Sequence, residues 1–321
     1  MSELFNRHAR VLIAAAALVA LLTTFLAIHP RGVSTYVLTI WANQGTLLGL
    51  AAIAQFFVVL VRGVDLSVGS VVALTNVAAS YLLVGSPGGI ALGIVAVLAI
   101  GMVCGLINGL AVVYGRMQPI VATLASGSVF AGIALLLRPT PGGSIDETLS
   151  DTLTYDIGGV PTSAILLVVV LALVALPLRK SRLGLAMYAV GSAEPAAYMT
   201  GIRVSAVKLA AYTAGGFFGA MTGLAVSMVT LTGDAGAGPS YTLNSIAAVV
   251  LGGVALSGGV GSPLGAVIGA LILKTVSSLM FFSGLPPLAQ PFFEGAILAT
   301  AIALGAMGVF RVPSKLDLFG R

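Results

Sequence analysis

Residues 90–114 read IALGIVAVLAIGMVCGLINGLAVVY, with no charged side chain from end to end. A helix of that length reaches about 37 Å at 1.5 Å per residue, more than the ~30 Å of hydrocarbon in a bilayer. Gly101, Gly105 and Gly109 stand four apart within it and leave one face bare of side chains. Such a face lets two backbones approach where lipid supplies no hydrophobic drive for association. The stretch reads as a membrane-spanning helix with a tightly packed neighbour.

The rest of the chain agrees with that reading. Of 321 residues, 58% are hydrophobic and 8% charged, and the mean hydropathy is +1.11. Soluble domains carry about 25% charged residues, so lipid is the main solvent of this surface. The net charge of +5 contains no basic patch that would suggest nucleic acid. Cys104 is the single cysteine and sits in an apolar stretch, as a small packing residue. His8 and His29 are far apart, so neither a disulfide framework nor a metal site is expected.

About ten apolar runs follow one another, at 9–28, 37–61, 67–84, 90–114, 119–138, 162–178, 209–231, 242–256, 262–283 and 289–310. The expected fold is an all-α polytopic helix bundle forming one membrane domain over 1–321. The first run lacks a small-x-small cleavage site and reads as a retained helix. With the N-terminus inside, Arg7, Arg10, Arg62, Arg116, Arg179, Lys180, Arg182, Arg203, Lys208, Arg311, Lys315 and Arg321 fall on the inner side. Arg31 and Arg138 alone fall outside, and Lys274 falls within a span. The positive-inside bias therefore puts both termini in the cytoplasm. Residues 138–161 form the longest periplasmic loop, read equally as a linker or as a landing site for a soluble partner.

A shift of 172 residues places Gly89, Gly93 and Pro119 on Gly261, Gly265 and Pro291. Spans two to five then correspond to spans seven to ten with opposite orientation, an inverted repeat of the kind transporters use for alternating access. Two further glycine stripes, Gly215-Gly219-Gly223 and Gly261-Gly265-Gly269, support close packing.

Polar residues inside such a bundle are the functional candidates. Gly63-Val-Asp65-Leu-Ser67-Val-Gly69-Ser70 opens the third span; its oxygens either cap a helix or line a broken one. Residues 179–208 are the one long polar segment expected on the inner face. Within it, Glu194-Pro195-Ala196-Ala197 followed by Gly201 suggests a short helix pressed into a partner's cleft, the alternative being an ordinary basic loop. Lys274 and Glu294 are charges at bilayer depth, expected to pair either as structural glue or as coupling groups.

Four segments together give the chain a resemblance to the membrane subunits of ribose-type sugar ABC importers, within the wider group that includes branched-chain amino-acid permeases. They are Val64–Ser70, Pro119–Leu124, Tyr188–Ile202, and Ile246–Gly253 with Ser257–Gly261. The resemblance implies a bacterial inner-membrane permease, a second permease copy or paralogue, two cytoplasmic ATPase subunits or one tandem ATPase, and a periplasmic solute-binding protein. It also implies that Glu194–Gly201 docks on the ATPase. Leu256-Ser-Gly-Gly resembles an ATPase signature, but no G-x4-G-K-[ST] loop accompanies it. ATP and Mg would therefore be bound by partner chains, and this chain is not itself the enzyme and carries no cofactor.

The path candidates are Asn43, Gln44, Asp65, Ser67, Ser70, Asn76, Asn108, Thr123, Ser126 and Asn244. Solutes compatible with the sequence include pentoses, hexoses, signalling sugars and nucleosides, with branched-chain amino acids the wider alternative. The rival reading is a secondary transporter coupled to H⁺ or Na⁺ through Asp65, Lys274 and Glu294.

Overall fold

Serine and proline punctuate the helices of this protein. In the computed structural model, which describes residues 2–286, 289, 292–296 and 299–300, helix α1 spans Ser2–Ile28 and α2 Thr35–Leu60. Then come α3 (Val68–Leu82), α4 (Pro87–Val113) and α5 (Pro119–Leu137). A short α6 (Glu147–Thr154) and a hairpin of β1 (Asp156–Ile157) and β2 (Val160–Pro161) precede α7 (Thr162–Lys180). The chain continues through α8 (Arg182–Ser192), α9 (Glu194–Met199), α10 (Val204–Thr230), α11 (Pro239–Leu251) and α12 (Pro263–Phe282). Ser34, Ser86, Ser181 and Ser262 each cap a helix by accepting the amide three residues on. Those bonds satisfy amides that a helix start otherwise leaves free.

Helix α2 is the centre of the bundle and is buried almost continuously from Gly45 to Leu60. Helices α10, α12 and α11 pack around it. On the outside, α4 and α5 expose Leu92, Val95, Val103, Leu124, Val129 and Leu136. Leucine and valine outside with glycine and alanine inside is the pattern a lipid solvent selects. Among the described residues, α1 from Val11, α2, α4, α5, α10 and α12 are long and apolar enough to cross a bilayer.

Two expected spans are shorter than drawn. Helix α3 has 15 residues and α11 has 13, about 22 and 20 Å of helix, too little to cross alone. The span expected at 242–256 begins earlier, because Pro239 suits a first helical turn. It ends at Leu251, because Gly253 adopts φ +79° and turns the chain. The expected tenth span, 289–310, lies largely outside the described residues, as do Arg311, Lys315, Arg321 and the proposed match of Pro119 to Pro291.

The repeat is visible in the packing, with a corrected register. Ser86-Pro87 opening α4 matches Ser262-Pro263 opening α12, so the offset is 176 residues rather than 172. Gly89 then matches Gly265, and Gly93 matches Gly269. A Cβ at Gly93 would collide with the Leu82 carbonyl closing α3, and one at Gly269 with the Ala248 carbonyl near the end of α11. Likewise α10 packs on α4 and α3 as α2 packs on α12 and α11. With the non-helical backbone on either side of α3 (61–67 and 83–86) adding to its length, four crossings (through α3, α4, α5 and α7) lie between α2 and α10, so the two copies run in opposite senses. The Gly215-Gly219-Gly223 stripe meets α2 and α3, while the close approach to Gly101 and Gly105 is made by Gly216.

Candidate functional site

The two half-length helices begin against one another. A Cβ at Gly69, in the first turn of α3, would collide with the carbonyl of Gly238, the residue before α11. The Gly69 amide donates to the Thr242 hydroxyl at 3.2 Å, so α11 supplies a cap that α3 lacks from its own Ser67. Segment 231–238 reaches this point by running along α3. Its Gly233 pairs with Gly142 and lies beside Ser80, while Asn76 donates to the Thr232 carbonyl (3.1 Å) and accepts from the Asp234 amide (2.6 Å). Non-helical backbone at membrane depth is tolerated where protein groups or a cavity satisfy it.

A cavity of about 340 Å³ opens where the helix starts meet. Ser70 and Ala73 of α3, Thr242 and Leu243 of α11, and Leu124 and Ala131 of α5 line it. Its size falls in the ~300–1,000 Å³ range of small-molecule sites. No ionisable side chain is among its lining residues. Hydroxyls and the partial positive charge of two helix N-termini are what it offers a ligand.

Behind Ser70 lies a buried polar network that sets the start of α3. The Asp65 carboxylate accepts from the Ser67 amide (2.8 Å) and hydroxyl (2.6 Å). Asn108 of α4 donates to the Ser67 hydroxyl at 2.7 Å and accepts from Ser126 of α5. Thr123 takes the Leu66 amide at 3.0 Å. The Gln55 carboxamide pairs with the Asp65 backbone, donating to its carbonyl (3.0 Å) and accepting from its amide (3.2 Å). A buried carboxylate is costly unless it is bonded in this way. Thus Asp65 forms the expected capping turn, whereas Ser67 bridges helices instead of capping.

The other candidates scatter. Asn43 accepts from Ser163 of α7, Gln44 is exposed, and Asn244 is buried on α11 near the cavity wall. Glu294 accepts from Ser277 at 2.8 Å, one turn beyond Lys274, and no ion pair joins the two charges among the described residues. Neither charge is bonded to Asp65. The sequence reading missed Thr242 and Gly238; the Gly-rich run ending in Pro239 was the available signal.

At the end of the bundle where α2 closes, α8 and α9 form a hairpin. Glu194 pairs with Lys208 at 2.7 Å, a partly exposed contact worth about 0–1 kcal/mol. Gly201, at φ +83°, turns the chain out of α9. Ala197, expected to face a partner, instead belongs to the buried core. The outward residues are Pro195, Ala196, Tyr198 and Met199, the last two 74% and 84% exposed.

Residues 37–302 match the family model described as branched-chain amino acid transport system / permease component. The ribose import permease protein of Bacillus subtilis is 35% identical over 273 residues, 82% of each chain. That of Haemophilus influenzae is 34% identical over 81% of this chain and 82% of the relative. The autoinducer 2 import system permease protein of Escherichia coli is 30% identical over 96% of both. No solved structure matches the chain at a significant level.

Proposed function

Because the chain belongs to the family of branched-chain amino acid transport system permease components, we propose that it is the multi-pass membrane subunit of an ATP-driven importer for a small, uncharged, sugar-like solute. The observation that carries the solute class is the cavity between the starts of α3 and α11, which offers the hydroxyls of Ser70 and Thr242 among apolar side chains and no ionisable group. The ammonium group of an amino acid would find no acidic side chain in that lining, whereas a polyol needs only hydrogen-bonding groups. The relatives named for ribose and autoinducer 2 import support the same class.

ATP is hydrolysed on separate cytoplasmic subunits, and a soluble binding protein delivers the solute from outside. Two permease copies, or this chain with a paralogue, flank the path. The termini lie in the cytoplasm, as the Lys and Arg distribution supports. In that orientation the α8–α9 hairpin faces the ATPase, and exposed Tyr198 and Met199 supply the apolar contact for it. Acid 194 steadies the hairpin through Lys208.

The test is reconstitution. Liposomes containing the permease, its co-purifying ATPase and its binding protein should accumulate radiolabelled ribose, or another neutral monosaccharide of a panel, only when ATP is present. Accumulation by the permease alone under an H⁺ or Na⁺ gradient would overturn the reading.

A further inference from the structure

Arg62 sits where an arginine is disfavoured. Helix α2 ends in a turn in which the Arg62 amide bonds the Val59 carbonyl (3.0 Å) and the Gly63 amide bonds the Val58 carbonyl (2.9 Å). The turn holds Arg62 at φ +66°. Left-handed backbone is the place for glycine, because a Cβ crowds the following carbonyl. A strained residue that persists directs attention to its side chain.

That side chain reaches the coupling hairpin. Its Nε donates to the Gly191 carbonyl and an Nη to the Ser192 carbonyl, both at 2.7 Å. These are carbonyls at the C-terminal end of α8, where a helix has unpaired acceptors and a partial negative charge. A planar guanidinium fork suits two adjacent carbonyls in a way that an ammonium does not.

Around the fork, three chain segments touch through backbone. The Gly259 amide donates to the Leu60 carbonyl at 3.0 Å, and Tyr188 of α8 donates to the Gly261 carbonyl at 3.0 Å. A Cβ at Gly191 would collide with the Leu60 carbonyl, and one at Gly258 would lie 2.5 Å from the Arg62 Cγ. One end of the hairpin therefore grips both joints of the inverted repeat. One joint leads through Asp65 into α3 and the cavity wall. The other leads through Ser262 into α12.

The geometry points to Arg62 as the positioning residue that transmits movement of the α8–α9 hairpin to the start of α3. The inference rests on the importer function above. When the ATPase displaces the hairpin, the fork pulls on residues 61–65, and the Asp65–Ser67 turn carries the shift to Ser70. Arg62 touches neither solute nor nucleotide.

Arg62→Gly separates this role from a structural one, because glycine suits the turn and removes only the fork. In liposomes with ATPase and binding protein, the variant complex should assemble and melt no lower than the native one. It should continue to hydrolyse ATP, while the sugar accumulated per ATP falls roughly tenfold, within the range of ordinary coupling free energies. Arg62→Lys, which keeps charge but not the fork, should fall in between. An unchanged sugar-to-ATP ratio in both variants would overturn the proposal. So would failure of Arg62→Gly to assemble, since that would make the guanidinium a structural support. Native complexes that accumulate no sugar with ATP would instead refute the importer function, a result read before any variant is compared.

Discussion

Helices α3 and α11 occupy equivalent places in the two repeats, yet they are fixed by different chemistry. The start of α3 is held by Gln55 of α2 on the Asp65 backbone, by Asn108 of α4 on Ser67, and by α5 through Thr123 on the Leu66 amide and Ser126 on Asn108. The approach to α11 is held by its own backbone, by one asparagine of α3, and by the Thr242 contact. Beyond its end, Gly252, Gly265 and Gly269 bring backbone against backbone. Directed hydrogen bonds between buried groups define one geometry, whereas glycine contacts tolerate sliding. The contrast makes the start of α3 a rigid wall of the cavity that moves as one unit, and α11 the compliant one.

Asp65→Ala should have the largest effect. It leaves the Ser67 amide and hydroxyl, buried, without their acceptor, at about 2–4 kcal/mol, and purified protein should melt at clearly lower temperature. A variant as stable as the native chain would dissolve the contrast. Asn76→Ala removes two bonds to segment 231–238 and should cost about 1–2 kcal/mol. Hydrogen exchange should accelerate at 232–238 while residues 65–70 stay protected; equal acceleration in both would show one coupled unit. Tyr212→Phe should have the smallest effect. The Tyr212 hydroxyl is buried beside Gly63 with no hydrogen-bond partner, so its loss should be neutral or stabilising by about 1 kcal/mol at most. A lower melting temperature would mean that the hydroxyl is bonded in the native protein.

Most of the fold was legible because membrane helices announce themselves by uninterrupted apolarity. Residues 90–114 needed no other information. The half-length helices were harder to read, since hydropathy does not distinguish helix from apolar backbone that runs extended; Gly253 and Pro239 were the only local marks. The repeat was legible in kind but misplaced by four residues, because glycines are too frequent here to fix a register. The Ser-Pro pairs that open α4 and α12 do fix it. Asp65, Ser67, Asn108, Thr123 and Ser126 were read as isolated polar positions, and folding gathers them into one buried network behind the cavity. Thr242 went unnoticed because it stood at the expected edge of a span. Ala197 was misjudged because a small residue in a polar loop gives no sign of which way it faces.

The central claim is that the starts of α3 and α11 form this chain's wall of the solute path that the two permease copies flank. In a Cys104→Ala background, Ser70→Cys and Thr242→Cys place single thiols on the two walls, with Val103→Cys on the outer face of α4 as control. The prediction is that a hydrophilic thiol reagent abolishes ATP-driven sugar uptake through both wall variants, that sugar-loaded binding protein with ATP alters the labelling rate there, and that the control keeps its uptake. Complete labelling of both walls with uptake unchanged would contradict the account.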